Sequence, residues 1–122
     1  MTTASTVEGT VADFLAGLQR CGTSPVIQGK IVTFTVEAAS GPRAGRSTRT
    51  GVNIDELTMW PIAPPHWLHF PADVTFTQTN ADPNDTLPGW VRHSRQIVGW
   101  GDADEPAQAW IAHVRSVLET AN

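Results

Sequence analysis

The chain has a single cysteine, Cys21, in 122 residues. One thiol excludes an internal disulfide and a cysteine-rich zinc site, and it fits a reducing, cytoplasmic compartment. Basic residues are also scarce: eight Lys and Arg stand against twelve Asp and Glu, for a net charge of −4. Phosphate neutralisation dominates nucleic-acid binding, so this balance argues against nucleic acid as the main partner. No stretch approaches the ~20 apolar residues that span a bilayer, and no membrane partner is expected. Residues 1–10 lack a basic start and an apolar signal core, so export is not expected. There is no Gly-x-Ser-x-Gly, so His93-Ser94 is not a nucleophile elbow. The run from Gly41 to Ser47 lacks the lysine and the spacing of a phosphate-binding loop.

What is present points to a folded protein. Apolar content of 40% with 16% charge is that of a globular chain, and 122 residues suffice for one self-supporting core. We therefore read residues 1–122 as a single domain. Its organising stretch is Trp60-Pro61-Ile62-Ala63-Pro64-Pro65-His66-Trp67-Leu68-His69-Phe70. Proline fixes φ, removes a backbone donor and biases its predecessor toward extended geometry, which argues against a helix or a central strand here. Trp60, Trp67, Leu68 and Phe70 are too apolar to leave in water. The expectation is an ordered flap lying over a core.

The rest of the chain is read by period. Val7, Val11, Phe14, Leu15 and Leu18 lie on one face of a helix over residues 5–21, with a possible capping box at Ser5-x-x-Glu8 and Gly22 as its stop. Residues 26–39 alternate as one strand, or two with a break near Gly29, and residues 46–54 pair with them as an antiparallel hairpin. A short strand is expected over 73–79 and a long surface loop over 80–90. Residues 91–100 suit either a strand or a packed irregular segment. The clearest helix is 104–120, with Asp102, Asp104 and Glu105 at its positive end and Pro106 in its first turn. Ala107, Trp110, Ile111, Val114, Val117 and Leu118 form its core stripe.

The spacing Trp60-Pro61-x-x-Pro64-Pro65-x-x-x-Phe70 resembles the Tyr-Pro-x-x-Pro-Pro-x-x-x-Phe flap of ubiquitin-conjugating enzymes. The order helix, antiparallel strands, flap, long loop, helix is similar to theirs. Residues Gly89 to Arg95, with Trp100, also look like part of a prokaryotic E2-like family. The resemblance implies an α+β fold: a β-meander of about four antiparallel strands, flanked by an N-terminal and a C-terminal helix, with the 60–70 flap across one end. It also implies a cysteine after the flap, following His-Pro-Asn, that carries the ubiquitin-like protein as a thioester. Here the matching region is Thr79-Asn80-Ala81-Asp82-Pro83-Asn84, with aspartate in place of the histidine, and no cysteine follows position 21. The resemblance therefore implies a non-catalytic binding module, a pseudoenzyme without a cofactor. Its partner would be a ubiquitin-like protein or another component of a bacterial conjugation-type system.

On that reading the binding surfaces are the flap, with Trp60, Pro64, Pro65 and Trp67, and the following loop, with Asp82, Asn84, Arg92, His93 and Arg95. The alternative is an enzyme. Cys21 would be the nucleophile of a transferase, although it closes a helix whose negative end raises a thiol pKa. His66, His69 and His93 would be the ligands of a metal-dependent hydrolase, although His66 and His69 point to opposite sides of an extended segment. Arg92, His93 and Arg95 with Asp82 and Asp85 form a candidate polar patch. Arg43, Arg46 and Arg49 read as solvated hairpin charges, and His113 as an edge contact of the last helix.

Overall fold

The computed structural model describes the chain except residues 1, 2, 78, 79, 102 and 103, and residues 3–8 are described by their backbone alone. The described residues contain two helices and one six-stranded sheet. Helix α1 spans Thr3–Arg20. It ends where Gly22 adopts φ +91°, with Thr23 N–H bonded to Leu18 O at 3.0 Å, a closure that an L side chain resists. The helix starts before Ser5, and the capping-box side chains lie outside the described residues. The same holds for Asp102.

Strands β1 (Val26–Gln28) and β2 (Ile31–Glu37) are separated at Gly29-Lys30, and β3 (Ser47–Asn53) returns along β2 in the register Val32↔Val52 and Phe34↔Thr50. A 3₁₀ turn (Ile54–Leu57) leads into the proline segment. Next come β4 (Trp67–Pro71), β5 (Asn80–Asp82), β6 (Trp90–Ser94) and helix α2 (Pro106–Leu118). Every strand pairing is antiparallel, in the order β1-β2-β3-β4-β6-β5.

Two expectations are corrected. The strand placed over 73–79 is absent from 73–77, where Val74 is buried and Phe76 packs half-buried against the core without strand pairing. The strand lies instead at Trp67–Pro71, inside the stretch excluded from a central strand, and it is central. The prolines restrict residues 60–65 only. From Trp67 onward the backbone is free to donate, and Pro71 sits at the strand's last position. The sheet also has six strands where about four are expected, because Asn80–Asp82 and Trp90–Ser94 form a second hairpin across the expected loop.

Alternation sorts the sheet into two faces. One face sends Val32, Phe34, Val36, Val52, Leu68 and Phe70 into a core shared with Phe14 and Leu18 of α1 and Trp110, Val114 and Leu118 of α2. All six residues of the expected α2 stripe are buried. Trp60 is 5% exposed and packs edge-on to Phe14 at 4.8 Å and against Trp100 at 5.4 Å, so the flap is pinned at its first residue. Trp100 Nε1 donates to Pro61 O at 3.0 Å. The Trp60–Pro61 peptide is cis. Arg43 is buried rather than solvated: it donates to Thr48 Oγ1, to Asn122 O and to Asp73. Neither helix covers the other face of the sheet.

Candidate binding cleft

The open face is built from the alternate residues of the same strands. Cross-strand register sets Gly51 beside His69, His69 beside Arg92, Trp67 beside Ser94 and Asp82 beside Arg92. A Cβ on Gly51 would lie 2.7 Å from Ile31 Cγ2 and 3.6 Å from His69 Cβ, so the missing side chain lets Ile31 and His69 close over β3. The segment after β5 then folds back across this face. Asp82 Oδ1 accepts from Asn84 N–H at 2.9 Å and from Asn84 Nδ2 at 2.8 Å, which turns the chain. Asp85 adopts φ +55°, unusual for a residue with a side chain, while Asn53 Nδ2 donates to its carbonyl at 3.4 Å. Thr86 Oγ1 reaches His69 Nδ1 at 2.8 Å.

Between this segment, the β1–β2 turn and the 3₁₀ turn lies a cleft of about 540 Å³. Trp67 and Arg92 form one wall. The Arg92 guanidinium lies 4.3 Å from the Trp67 ring centroid, 2.7 Å from Asp82 Oδ2 and 3.6 Å from Asp85 Oδ2. The hydrogen bond from Arg92 holds the Asp82 carboxyl below its ordinary range, with help from Asn84 N–H. Opposite stand Lys30 and Asp55, paired at 3.3 Å and both largely exposed.

Glu56 joins the cleft to the flap. Its Oε1 accepts from the backbone N–H of His66 at 2.8 Å and of Trp67 at 3.0 Å, fixing the entry to β4. Its Oε2 lies 3.7 Å from Nε2 of the fully buried His69, too far for a hydrogen bond. Neither atom has a hydrogen-bond partner among the described residues.

The structure brings together Trp67, Asp82, Asn84 and Arg92 of the expected site, and separates the others. Trp60 and Pro65 are buried, and Pro64 is half-buried. His93, 3% exposed, faces the core between Phe70 and Phe76, because it is one residue out of phase with Arg92. Burial, with the charges of Arg95 and His69, lowers its pKa to about 4. Arg95 stacks over Phe76 at 4.9 Å. Sequence reasoning missed Glu56, Thr86, Asn53 and Lys30. The one local signal was the Asn53-x-Asp55 turn, whose side chain accepts from Asp55 N–H at 2.9 Å.

The rival chemistries find little geometry. The three histidines occupy different environments: His66 is exposed and bonded to Ser94 Oγ at 3.0 Å, His69 lies buried under the cleft, and His93 is in the core. Among the described residues no three His, Cys, Asp or Glu side chains converge as a metal site. Cys21 is half-buried, and burial, then the neighbouring Glu105 carboxylate, push its thiol pKa up, away from the reactive thiolate. In comparisons with known proteins, no family model, no curated protein and no solved structure matches this chain.

Proposed function

We propose that this domain is a non-catalytic binding module, of the kind its resemblance to ubiquitin-conjugating enzymes implies. It holds a ubiquitin-like protein, or a neighbouring component of a conjugation-type system, on the open face of its sheet. One observation carries the reading. An aromatic wall and an oriented guanidinium, Trp67 and Arg92, border a cleft on the sheet face that neither helix covers. Tryptophan and arginine are the side chains that most often anchor protein interfaces. The Arg92 head is held by two carboxylates, so it is ordered before a partner arrives.

The test is capture of a partner from native lysate by the immobilised domain, read by intact mass with and without reducing thiol. Wild type retains one partner in stoichiometric amount. Trp67→Ala and Arg92→Ala each lower retention at least tenfold while melting within about 5 °C of wild type. A thiol-labile adduct that requires Cys21 overturns the non-catalytic reading. Undiminished capture by both variants overturns the choice of face.

A further inference from the structure

We infer that Ser94 is an acylation site: its hydroxyl, with His66 as the base, takes the acyl group of an activated ester. The inference goes beyond the binding reading and does not depend on it. Ser94 is the last residue of β6, and the register sets it beside Trp67 of β4 and Asn80 of β5. The three side chains therefore share the open face. His66 comes just before β4 and brings Nε2 to 3.0 Å from Ser94 Oγ. Serine and imidazole often meet on protein surfaces, and what sets this pair apart is how the imidazole is held. Glu56 Oε1 accepts from the His66 backbone N–H at 2.8 Å. The ring stands edge-on to the Trp67 ring, with centroids 5.1 Å apart and planes at 85°. The base is thus set on the hydroxyl before a reactant arrives. With its proton on Nδ1, the ring accepts the Ser94 O–H at Nε2, the arrangement that attack by a serine needs. His66 is exposed and Ser94 half-buried, so a reactant reaches both.

The chemistry is a single transfer. Ser94 Oγ bonds to the ester carbonyl carbon as its proton passes to His66 Nε2. The bond to the leaving oxygen breaks, and His66 gives that oxygen the proton. Asn80, about 5 Å from Ser94 between Cβ atoms as cross-strand partners are, brings an exposed amide to the carbonyl oxygen while it carries charge. Trp67 gives the leaving group an apolar wall. An aryl oxide leaves readily. Release of the acyl group from serine must instead expel an alkoxide, a far poorer leaving group. Among the described residues no carboxylate pairs with the His66 ring to support the imidazolium of that second step. The acyl group therefore stays on Ser94, and the domain is modified rather than turned into a catalyst.

The experiment treats the intact domain with p-nitrophenyl acetate. Release of nitrophenolate is followed together with intact mass, and the acetyl group is mapped by peptide. Wild type gives one burst of nitrophenolate, equal to the protein present, without sustained turnover. The acetyl group lies on Ser94 and survives reducing thiol, which strips an acyl group from Cys21. Ser94→Ala abolishes the burst. His66→Gln keeps a hydrogen-bonding side chain but takes no proton, and it slows the burst about a hundredfold. His66 is exposed, so this variant carries the test even if Ser94→Ala fails to fold.

A burst that survives Ser94→Ala assigns the acyl group to another nucleophile and overturns the inference. An unchanged rate in His66→Gln overturns it too, because the hydroxyl then reacts without its base. Wild type that gains no acetyl group on Ser94 does the same. None of these outcomes bears on capture of a partner by Trp67 and Arg92, so the two readings fail separately.

Discussion

Within β4, Leu68 and Phe70 turn to one side of the sheet and Trp67 and His69 to the other. The first pair enters a core closed by both helices, where no water competes and shape decides stability. The second pair meets guanidinium, carboxylate and hydroxyl groups beneath a cleft. The same strand therefore carries two kinds of energy. Apolar area dominates the inner face, and removing a side chain there leaves a cavity. Matched charges and ring faces dominate the outer one, where water remains a rival around half-buried Trp67 although His69 beside it is fully buried. A residue's face, rather than its type, then decides what its loss does.

Two tryptophans give the largest contrast. Trp110 is 1% exposed in the core, whereas Trp67 is half-buried on the open face. Trp110→Ala is expected to cost about 3–5 kcal/mol, as buried aromatic truncations do. Trp67→Ala should cost about 1 kcal/mol, mostly through its contact with Arg92. Urea unfolding of both variants measures the difference. Equal losses would mean that the open face is a second core, and the division between the faces would collapse.

Acid makes a second cut between the faces. His93 is held neutral in the core with its pKa lowered to about 4, from an ordinary 6.5. Below pH 6.5 the unfolded chain takes up a proton that the folded chain refuses. The stability from the neutral ring is therefore complete above pH 6.5 and is lost as the pH falls toward 4, by about 3 kcal/mol in all. His113, also lowered by burial, acts in the same direction. His93→Leu keeps an apolar side chain against Phe70 and Phe76 and should flatten this limb of the stability curve. A variant that loses stability with acid as steeply as wild type would show that the limb arises elsewhere.

These contrasts also mark what the sequence could reveal. Both helices were readable, because Phe14 and Leu18 in one and Trp110 to Leu118 in the other repeat with the helical period, and Gly22 stops the first. The β2–β3 hairpin was readable from its alternation. β4 is legible in principle, since Trp67, Leu68, His69 and Phe70 alternate, but Pro61, Pro64 and Pro65 obscure it, although their rigidity governs residues 60–65 only. The Asp82–Arg92 pair appeared only as nearby charges, because its register depends on a hairpin of short strands. Adjacency in sequence groups His93 with Arg92, although in a strand adjacent residues face apart. Glu56 was invisible for a different reason: its partners are the backbone N–H groups of His66 and Trp67, and no side-chain pattern announces them.

The smallest expected effect separates two contacts within the open face itself. Arg92 lies 4.3 Å from the Trp67 centroid with its side chain 17% exposed, and Arg49 lies 5.2 Å from the Trp90 centroid on the exposed side of β3. Attraction between a cation and a ring grows as water is excluded, so the two pairs should differ. A double-mutant cycle by urea unfolding is expected to give a coupling of about 1 kcal/mol for Arg92 and Trp67, and about 0.5 kcal/mol for Arg49 and Trp90. Half-molar salt should diminish the Arg49 coupling more, because exposed charges are screened within a few ångströms. If the Arg92 coupling is the smaller, its carboxylates have already taken the charge that the ring would share. The guanidinium then serves the cleft through Asp82 and Asp85, and Trp67 acts there as an apolar wall alone.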